Sequence, residues 1–372
     1  MKKRIVISGL GALSAHGQNI EAICARSGAL LPDEVRRRLD EDVDLLPVRN
    51  LNASAVSGRL RKKLDPFTIY GLCAADMAIK NSGVLESDID RNRVGIFVGN
   101  CLGGWSFTEP ELQKLHTAGV DMMSPYVATA WFPAALQGQI SLQYDLKGYS
   151  KTYSASGVAG VQAIGYAAEA IQHGRADVIV CGASEDISSP YTHAVLQAYD
   201  YGSESRHSVY GKERHVDFAE GAAFMVIESL EHAKRRGAHI YGEITGFADH
   251  FCPSTSDREA VHKKNLTSAI GRTSNKHLLI MDGLFEDEPS VIGGTAAEAD
   301  TPVIAATSKN IFGNMFAVSG VMELACIAYN LSRGAVRGDM LGEVATEDAF
   351  EDVIVRRLGK HGGMSTLTIS AV

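Results

Sequence analysis

Residues 152–158 read Thr152-Tyr153-Ser154-Ala155-Ser156-Gly157-Val158, the most informative stretch of the chain. A weakly apolar segment enters a turn of small residues, and the turn opens a helix expected over Ser156–His173. Val158, Val161, Ile164 and Ile171 recur there at helical spacing, with Gly160, Ala163, Gly165, Ala167 and Ala168 filling much of the remainder. A glycine inside a helix costs roughly 1 kcal/mol relative to alanine. The pattern therefore implies an enclosed helix whose neighbours approach its backbone. A turn of this kind suits an acyl-transfer nucleophile, because the amides that open a helix favour a developing negative charge. Cysteine is the residue such a turn calls for, and this chain supplies Ser154.

Working outward, apolar runs alternate with helical patterns, which argues an α/β fold. Strands are expected at Arg4–Ser8, Val94–Val98, Asp177–Cys181, Ala223–Glu228, Gly242–Phe247, Val303–Ala306 and Ser365–Ser370. Further helices are expected at Pro66–Asn81, Ser229–Arg236 and Val318–Arg333, whereas Thr255–Lys276 is polar and carries no clear pattern. The triplet Ser156-Gly157-Val158 has an echo in Ser319-Gly320-Val321, which opens a second apolar helix. Two matching helices imply two duplicated halves, 1–238 and 239–372, in one compact unit.

The 372 residues are 45% hydrophobic and 22% charged, the composition of an ordinary globular chain with a real core. A net charge of −8 argues against a nucleic-acid partner. The six cysteines form no CxxC pair and no His/Cys spacing of a zinc site, so they read as reduced thiols in a cytoplasmic protein. Neither a metal nor another cofactor is implied. No run approaches the ~18 apolar residues of a membrane span. One dense basic run, Arg59, Arg61, Lys62 and Lys63, reads either as a solvated helix start or as a docking point for an acidic carrier protein.

Several segments, in order, resemble the β-ketoacyl synthases of the thiolase superfamily. They are Val6–Ser14, Leu64-Asp65-Pro66-Phe67 ("MDPF"), Gly103-Gly104 with Ser124-Pro125-Tyr126, and Ala176–Glu185 ("ADVMVAGGAE"). Glu220-Gly221-Ala222 with Glu231–Ala238 follows, and then Ser308-Lys309 with Gly313, Gly320 and Glu323 ("STKSxxGHxxGAAGxxE"). The resemblance implies the five-layer αβαβα thiolase-like fold, commonly as a dimer. It also implies chemistry by one cysteine and two histidines, the thiol being acidic enough to ionise near neutral pH where a hydroxyl needs an adjacent base.

This chain departs from the family at each of those positions. Matching "TACxSG" to Thr152–Gly157 puts Ser154 at the cysteine. The "EAHGTxT" segment reads Ile280–Glu286, so Asp282 stands at the first histidine, and Leu284 and Glu286 stand at the two pantetheine-binding threonines. Asn314 stands at the second histidine, and His361 at the phenylalanine of the "GFGGTN" loop. Lys309 and Glu323 keep the spacing of a structural ion pair. An anion at residue 282 opposes enolate stabilisation.

The joint loss favours a non-catalytic role in which Ser154 merely caps the following helix. A chain-length-factor-like subunit of this kind, as in type II polyketide or aryl-polyene systems, pairs with an active β-ketoacyl synthase and shapes its acyl tunnel. Trp105, Phe107 and Thr108, together with Trp131 and Phe132, are the tunnel and interface candidates, and ordinary packing is the alternative reading of these aromatics. Acyl carrier protein is the expected further partner, docking near Arg61, Lys62 and Lys63. Two other readings stay open. One is a serine acyltransferase or esterase built on Ser154 and His361 with Asp282. The other is a small-molecule binder using the vestigial pocket.

Overall fold

The computed structural model describes residues 3–26, 35, 37–40, 43–198, 205–207, 213–215, 217–252, 258–270, 276–284, 288–298, 302–337 and 348–372. Ten strands form its main sheet: β1 (Ile5–Ser14), β2 (Val94–Gly99), β3 (Lys151–Tyr153), β4 (Val178–Glu185), β5 (Gly221–Ser229), β6 (Gly242–Phe251), β7 (His277–Ile280), β8 (Val303–Ala306), β9 (Asp352–Leu358) and β10 (Gly363–Ser370). Their spatial order is β8-β7-β9-β10-β6-β1-β5-β4-β2-β3. The first five strands in chain order thus lie as 3-2-4-5-1 from the outer edge inward, and the second five repeat that order. The pairing senses repeat too. In each half the two outermost contacts are parallel and the two inner ones antiparallel. A short antiparallel ladder, Ile5–Ile7 on Gly242–Ile244, joins the halves.

Six helices matter for the site: α1 (Pro66–Ser82), α2 (Trp105–Ala118), α3 (Ala135–Tyr144), α4 (Ala159–Gln172), α5 (Arg258–Ile270) and α6 (Ala317–Leu331). Helix α1 covers one face of β1, β5 and β4, while α5 covers β6 and β10. Helices α4 and α6 pack on each other and on strands of both halves. The layers therefore run helix, sheet, paired helices, sheet, helix, which is the thiolase-like α/β architecture. Every residue of α6 from Ala317 to Ala328 is buried, which explains its continuous apolar sequence. Strands β1, β4 and β5 are likewise buried along almost their whole length, so they read as apolar runs without alternation.

Most expected elements appear within a few residues of their sequence bounds. The differences lie where polar side chains are buried. Strand β9 carries Arg356 and Arg357, both fully buried, and His277 of β7 is also fully buried. These residues hid both strands from the apolar pattern. Helix α5 lies within the polar stretch 255–276, and α2 contains Pro110, where periodicity fails.

Asp65 shows why the "DPF" segment has its form. Its Oδ1 accepts the Phe67 amide at 3.0 Å and caps α1, while its Oδ2 accepts the Phe107 amide at 2.8 Å near the start of α2. One carboxylate thereby fixes two helix starts. Asp65→Ala is expected to lower unfolding free energy by about 2 kcal/mol. Urea denaturation checks this, and Asp65→Asn should recover part of the loss.

Candidate functional site

The chain leaves β3 at Tyr153 and turns before it becomes helical. Ser156 takes a left-handed conformation with φ 54°. Its backbone and side chain hydrogen-bond the Cys101 thiol, in the loop that follows β2. Helix α4 starts only at Ala159; Val158 is its N-cap residue, and no side chain caps it. Ser154 is exposed and lies five positions before that start, so the capping role expected for it does not hold. The turn at Ser156 takes the Ser154 hydroxyl away from the helix amides.

A cleft of about 560 Å³ opens beside this turn. Ser154, Ser156, Val158 and Gln162 line one side, with Asp249, His250 and Phe251 from the end of β6 and His361 from the β9–β10 turn opposite. Ser154 and His361 thus share one cleft. The acid expected to orient them does not. Asp282 is buried away from it, and the carboxylate on the cleft is Asp249. Asp249 accepts hydrogen bonds from Gln162 (3.1 Å), Tyr166 (2.8 Å) and the Ser365 hydroxyl.

Asp282 instead anchors a buried ionic cluster. Its Oδ1 lies 3.0 Å from Lys309 Nζ, and its Oδ2 accepts the Leu358 amide at 3.3 Å. Arg357 Nη1 stands 3.9 Å from the same carboxylate. Lys309 Nζ also reaches Asn314 Oδ1 at 3.5 Å, and that oxygen accepts the Phe316 amide at 3.2 Å. The Lys309–Glu323 pair expected from spacing is not formed. Glu323 pairs with Arg357 and accepts the Ser308 hydroxyl, while Lys309 turns to Asp282. The reason is that β9 places Arg357 against α6, where it meets Glu323 first. Leu284 packs with Cys252, Leu358 and Met364, whereas Glu286 lies outside the described residues. Removing one partner of a buried pair leaves a charge uncompensated. Lys309→Met should therefore lower unfolding free energy by about 3–5 kcal/mol, and Asp282→Asn in the same chain should restore part of it. Chemical denaturation of the single and double variants checks this.

Sequence reasoning missed a second group of buried acids, because each appeared only as a letter within a motif. Glu185 accepts the Leu102 amide at 3.3 Å, the Asn100 side chain at 3.0 Å and the amides of Cys101 and Ala317. It ties the end of β4 to the β2 loop and to the start of α6. Burial nevertheless pushes its carboxyl up to about 8. Burial, with Asp186 adjacent, pushes Glu220 up to about 8 as well, and Asp65 is raised for the same two reasons. These acids hold protons more tightly when folded than when unfolded. The stability they contribute is full below the ordinary value near 4.5 and is lost as pH rises through about 8. The melting temperature should fall between pH 5 and pH 9 at constant ionic strength, and Glu220→Gln should flatten that slope.

The aromatic candidates separate into two environments. Trp105 opens α2 and packs on Tyr191 with ring centroids 4.2 Å apart; Thr108 is buried and donates to the Gly104 carbonyl at 2.6 Å. Phe107 is half-buried. Trp131 and Phe132 are 43% and 51% exposed, so they stand on the surface of the single chain and not in an internal tunnel. They precede α3, whose Gln137 accepts the Thr152 hydroxyl of the edge strand β3 at 3.0 Å. Val120, Met122, Tyr126 and Leu142 are exposed in the same part of the sequence, an unusual density of apolar surface. Lys63 stacks over the Tyr126 ring at 4.3 Å, which sets the basic run Arg59–Lys63 beside this region; Arg59, Arg61 and Lys62 are exposed.

The architecture and the motif-bearing loops define a thiolase-fold condensing-enzyme scaffold. A model described as the N-terminal domain of β-ketoacyl synthase matches residues 36–233, and the chain belongs to the β-ketoacyl synthase family. Among curated relatives, it is 29% identical over 383 aligned positions to 3-oxoacyl-[acyl-carrier-protein] synthase 2 of Coxiella burnetii, covering 96% of this chain and 86% of that protein. A Streptomyces cyaneus protein named as a polyketide β-ketoacyl synthase is 30% identical over 271 positions, 67% of this chain and 63% of the relative's length. Among solved structures, AntDE with AntF is a type II polyketide synthase acyl carrier protein in complex with its ketosynthase bound to the hexaketide. It matches with a TM-score of 0.87 and 37% identity over the full length of both chains. The ishigamide ketosynthase/chain length factor matches in fold, with a TM-score of 0.85 at 18% identity over both full chains. Among the described residues, no helix is long and apolar enough to cross a membrane, and no group of three or more His, Cys, Asp or Glu could hold a metal ion.

Proposed function

We propose that this chain is a non-catalytic, chain-length-factor-like subunit that pairs with an active β-ketoacyl synthase and shapes the acyl tunnel in polyketide or polyene synthesis. One observation carries the reading. Asp282 and Asn314, at the two histidine positions of the family, are tied together by Lys309 in a buried cluster. A malonyl enolate needs electrophilic groups preorganised toward its oxygen. Here the side chains at those positions are an anion engaged by an ammonium and an amide engaged by the same ammonium.

The edge strand β3 and the exposed residues of 120–142 support the pairing surface. β3 ends the sheet, so its outer backbone groups suit a partner strand, and the exposed Trp131 and Phe132 precede α3, whose Gln137 bonds Thr152 of that strand. The 37% identity to a chain of the AntDE–AntF complex supports an acyl carrier protein as the further partner. Arg61 and Lys62, with Lys63 on Tyr126, offer it a basic contact. The division into halves 1–238 and 239–372 belongs to the same reading, with the repeated strand order as its support.

The test is co-expression with a ketosynthase that carries the complete Cys-His-His set. The expected result is a stable heterodimer, with product formed only when the partner's cysteine is intact. Trp105→Ala and Trp131→Ala, singly and together, should shift product length by at least one two-carbon unit, read by mass spectrometry. Unchanged lengths in all three complexes move the length-setting surface elsewhere.

A second reading has one observation in its favour: Ser154 and His361 line the same cleft. It requires a covalent acyl adduct on Ser154 that disappears in His361→Ala. Intact-mass measurement after incubation with acylated carrier protein decides between the two readings, and an unmodified chain supports the non-catalytic one.

A further inference from the structure

The packing of α4 on α6 points to a register other than the one the letters of the motif favour. The stretch Ser156-Gly157-Val158-Ala159-Gly160-Val161 contains Gly-Val twice, three residues apart. If the glycine of "TACxSG" is Gly157, the nucleophile position is Ser154. If it is Gly160, the nucleophile position is Gly157.

Three observations decide. First, a glycine is obligatory only where a Cβ cannot fit. A Cβ on Gly160 would stand 2.0 Å from the Ala317 carbonyl oxygen of α6, whereas one on Gly157 would meet only the Leu358 carbonyl oxygen, at an ordinary 3.6 Å. Second, the two central helices are related by the internal duplication. Gly160 abuts Ala317 and Val321, and Gly320 abuts Val161 in return, so Gly160 and Gly320 correspond. Four residues before each glycine stands a non-glycine residue with positive φ: Ser156 at 54° and Phe316 at 46°. The strained turn therefore lies at Ser156, with Gly157 directly after it and Ser154 outside it. Third, the vacant Cβ direction of Gly157 faces Leu358, whose amide is held by Asp282, the residue at the family's first histidine. Ser154 is exposed on the cleft.

We infer that Gly157 occupies the nucleophile position of the family, so that the reaction turn is bare of any side chain. Ser154 is then a rim residue of the cleft. This inference deepens the non-catalytic reading and rests on it.

Two measurements test it. In thermal unfolding, Gly157→Ala should stay within about 2 °C of the parent, while Gly160→Ala should melt at least about 5 °C lower, because overpacking against backbone cannot relax. Under the other register Gly157 is the packing glycine, so a loss in Gly157→Ala equal to or greater than that in Gly160→Ala overturns the inference. The second measurement is the pH dependence of alkylation by iodoacetamide at the introduced thiol of Gly157→Cys and of Ser154→Cys, each located by peptide mapping. A thiol beside the opening amides of α4 should titrate lower than one on the exposed rim, by about one pH unit. A midpoint in Gly157→Cys at or above that of Ser154→Cys also overturns it. A failure of the non-catalytic reading appears separately, as an acyl adduct on the unaltered chain.

Discussion

The close crossing of α4 and α6 is the constraint on which the rest of this structure depends. Gly160 brings the two backbones together, and Gly320 receives Val161 within 2.5 Å of where its own Cβ would stand. Helices that approach this closely must enter the layer between the sheets from sharp turns, because the strands feeding them lie in planes on either side. Ser156 and Phe316 supply those turns with positive φ, which costs a non-glycine residue energy that the surrounding packing must over-determine. The over-determination is visible. Ser156 is bonded to Cys101, and the amide of Phe316 is held by Asn314. Glu185, bonded to the amides of Leu102 and Ala317, locks the end of β4 to the start of α6.

That constraint also separates what the sequence reveals from what it conceals. The buried strands β1, β4 and β5 and the helices α1, α4 and α6 follow from apolar runs and helical spacing, since nothing polar interrupts them. Strand β9 is concealed because Arg356 and Arg357 stand in its middle, where a buried strand ordinarily carries Val or Ile. Their charges make sense only against Glu323, Asp282 and Glu288, residues 30 to 80 positions away. The candidate site divides in the same way. Asp282, Asn314 and His361 are legible as departures at fixed motif positions, and the first two do meet around Lys309. The partners of Lys309 and Glu323 were not legible, because sequence separation of 14 residues does not tell which basic group, Lys309 or Arg357, reaches the carboxylate first.

The position of Ser154 shows the limit of letter matching most sharply. Ser-Gly-Val and Ala-Gly-Val follow each other without a gap, and the letters favour the first, which matches at Thr152, Ser156 and Gly157 where the second matches only at Gly160. The room around each glycine distinguishes them, and at Gly160 that room is set by a helix more than 150 residues further along the chain. A local pattern can thus be read correctly as a turn into a helix and still be placed three residues out.

The ionic cluster shows what holds residues 282 and 314 in place. Imidazoles at residues 282 and 314 would need an open space before them for substrate, and the Lys309 ammonium would then lack the Asp282 carboxylate, whereas Arg357 would keep Glu323. An unpaired cation in a buried site is costly. Aspartate at 282 and asparagine at 314 accept hydrogen bonds where neutral imidazoles would have to share their lone pairs, and they hold Lys309 and the Leu358 amide in one stroke. The β9–β10 turn follows Leu358, whose amide is held by the same carboxylate. On the non-catalytic reading proposed above, the scaffold keeps its outer shape while the interior around residues 282 and 314 becomes an element of its stability.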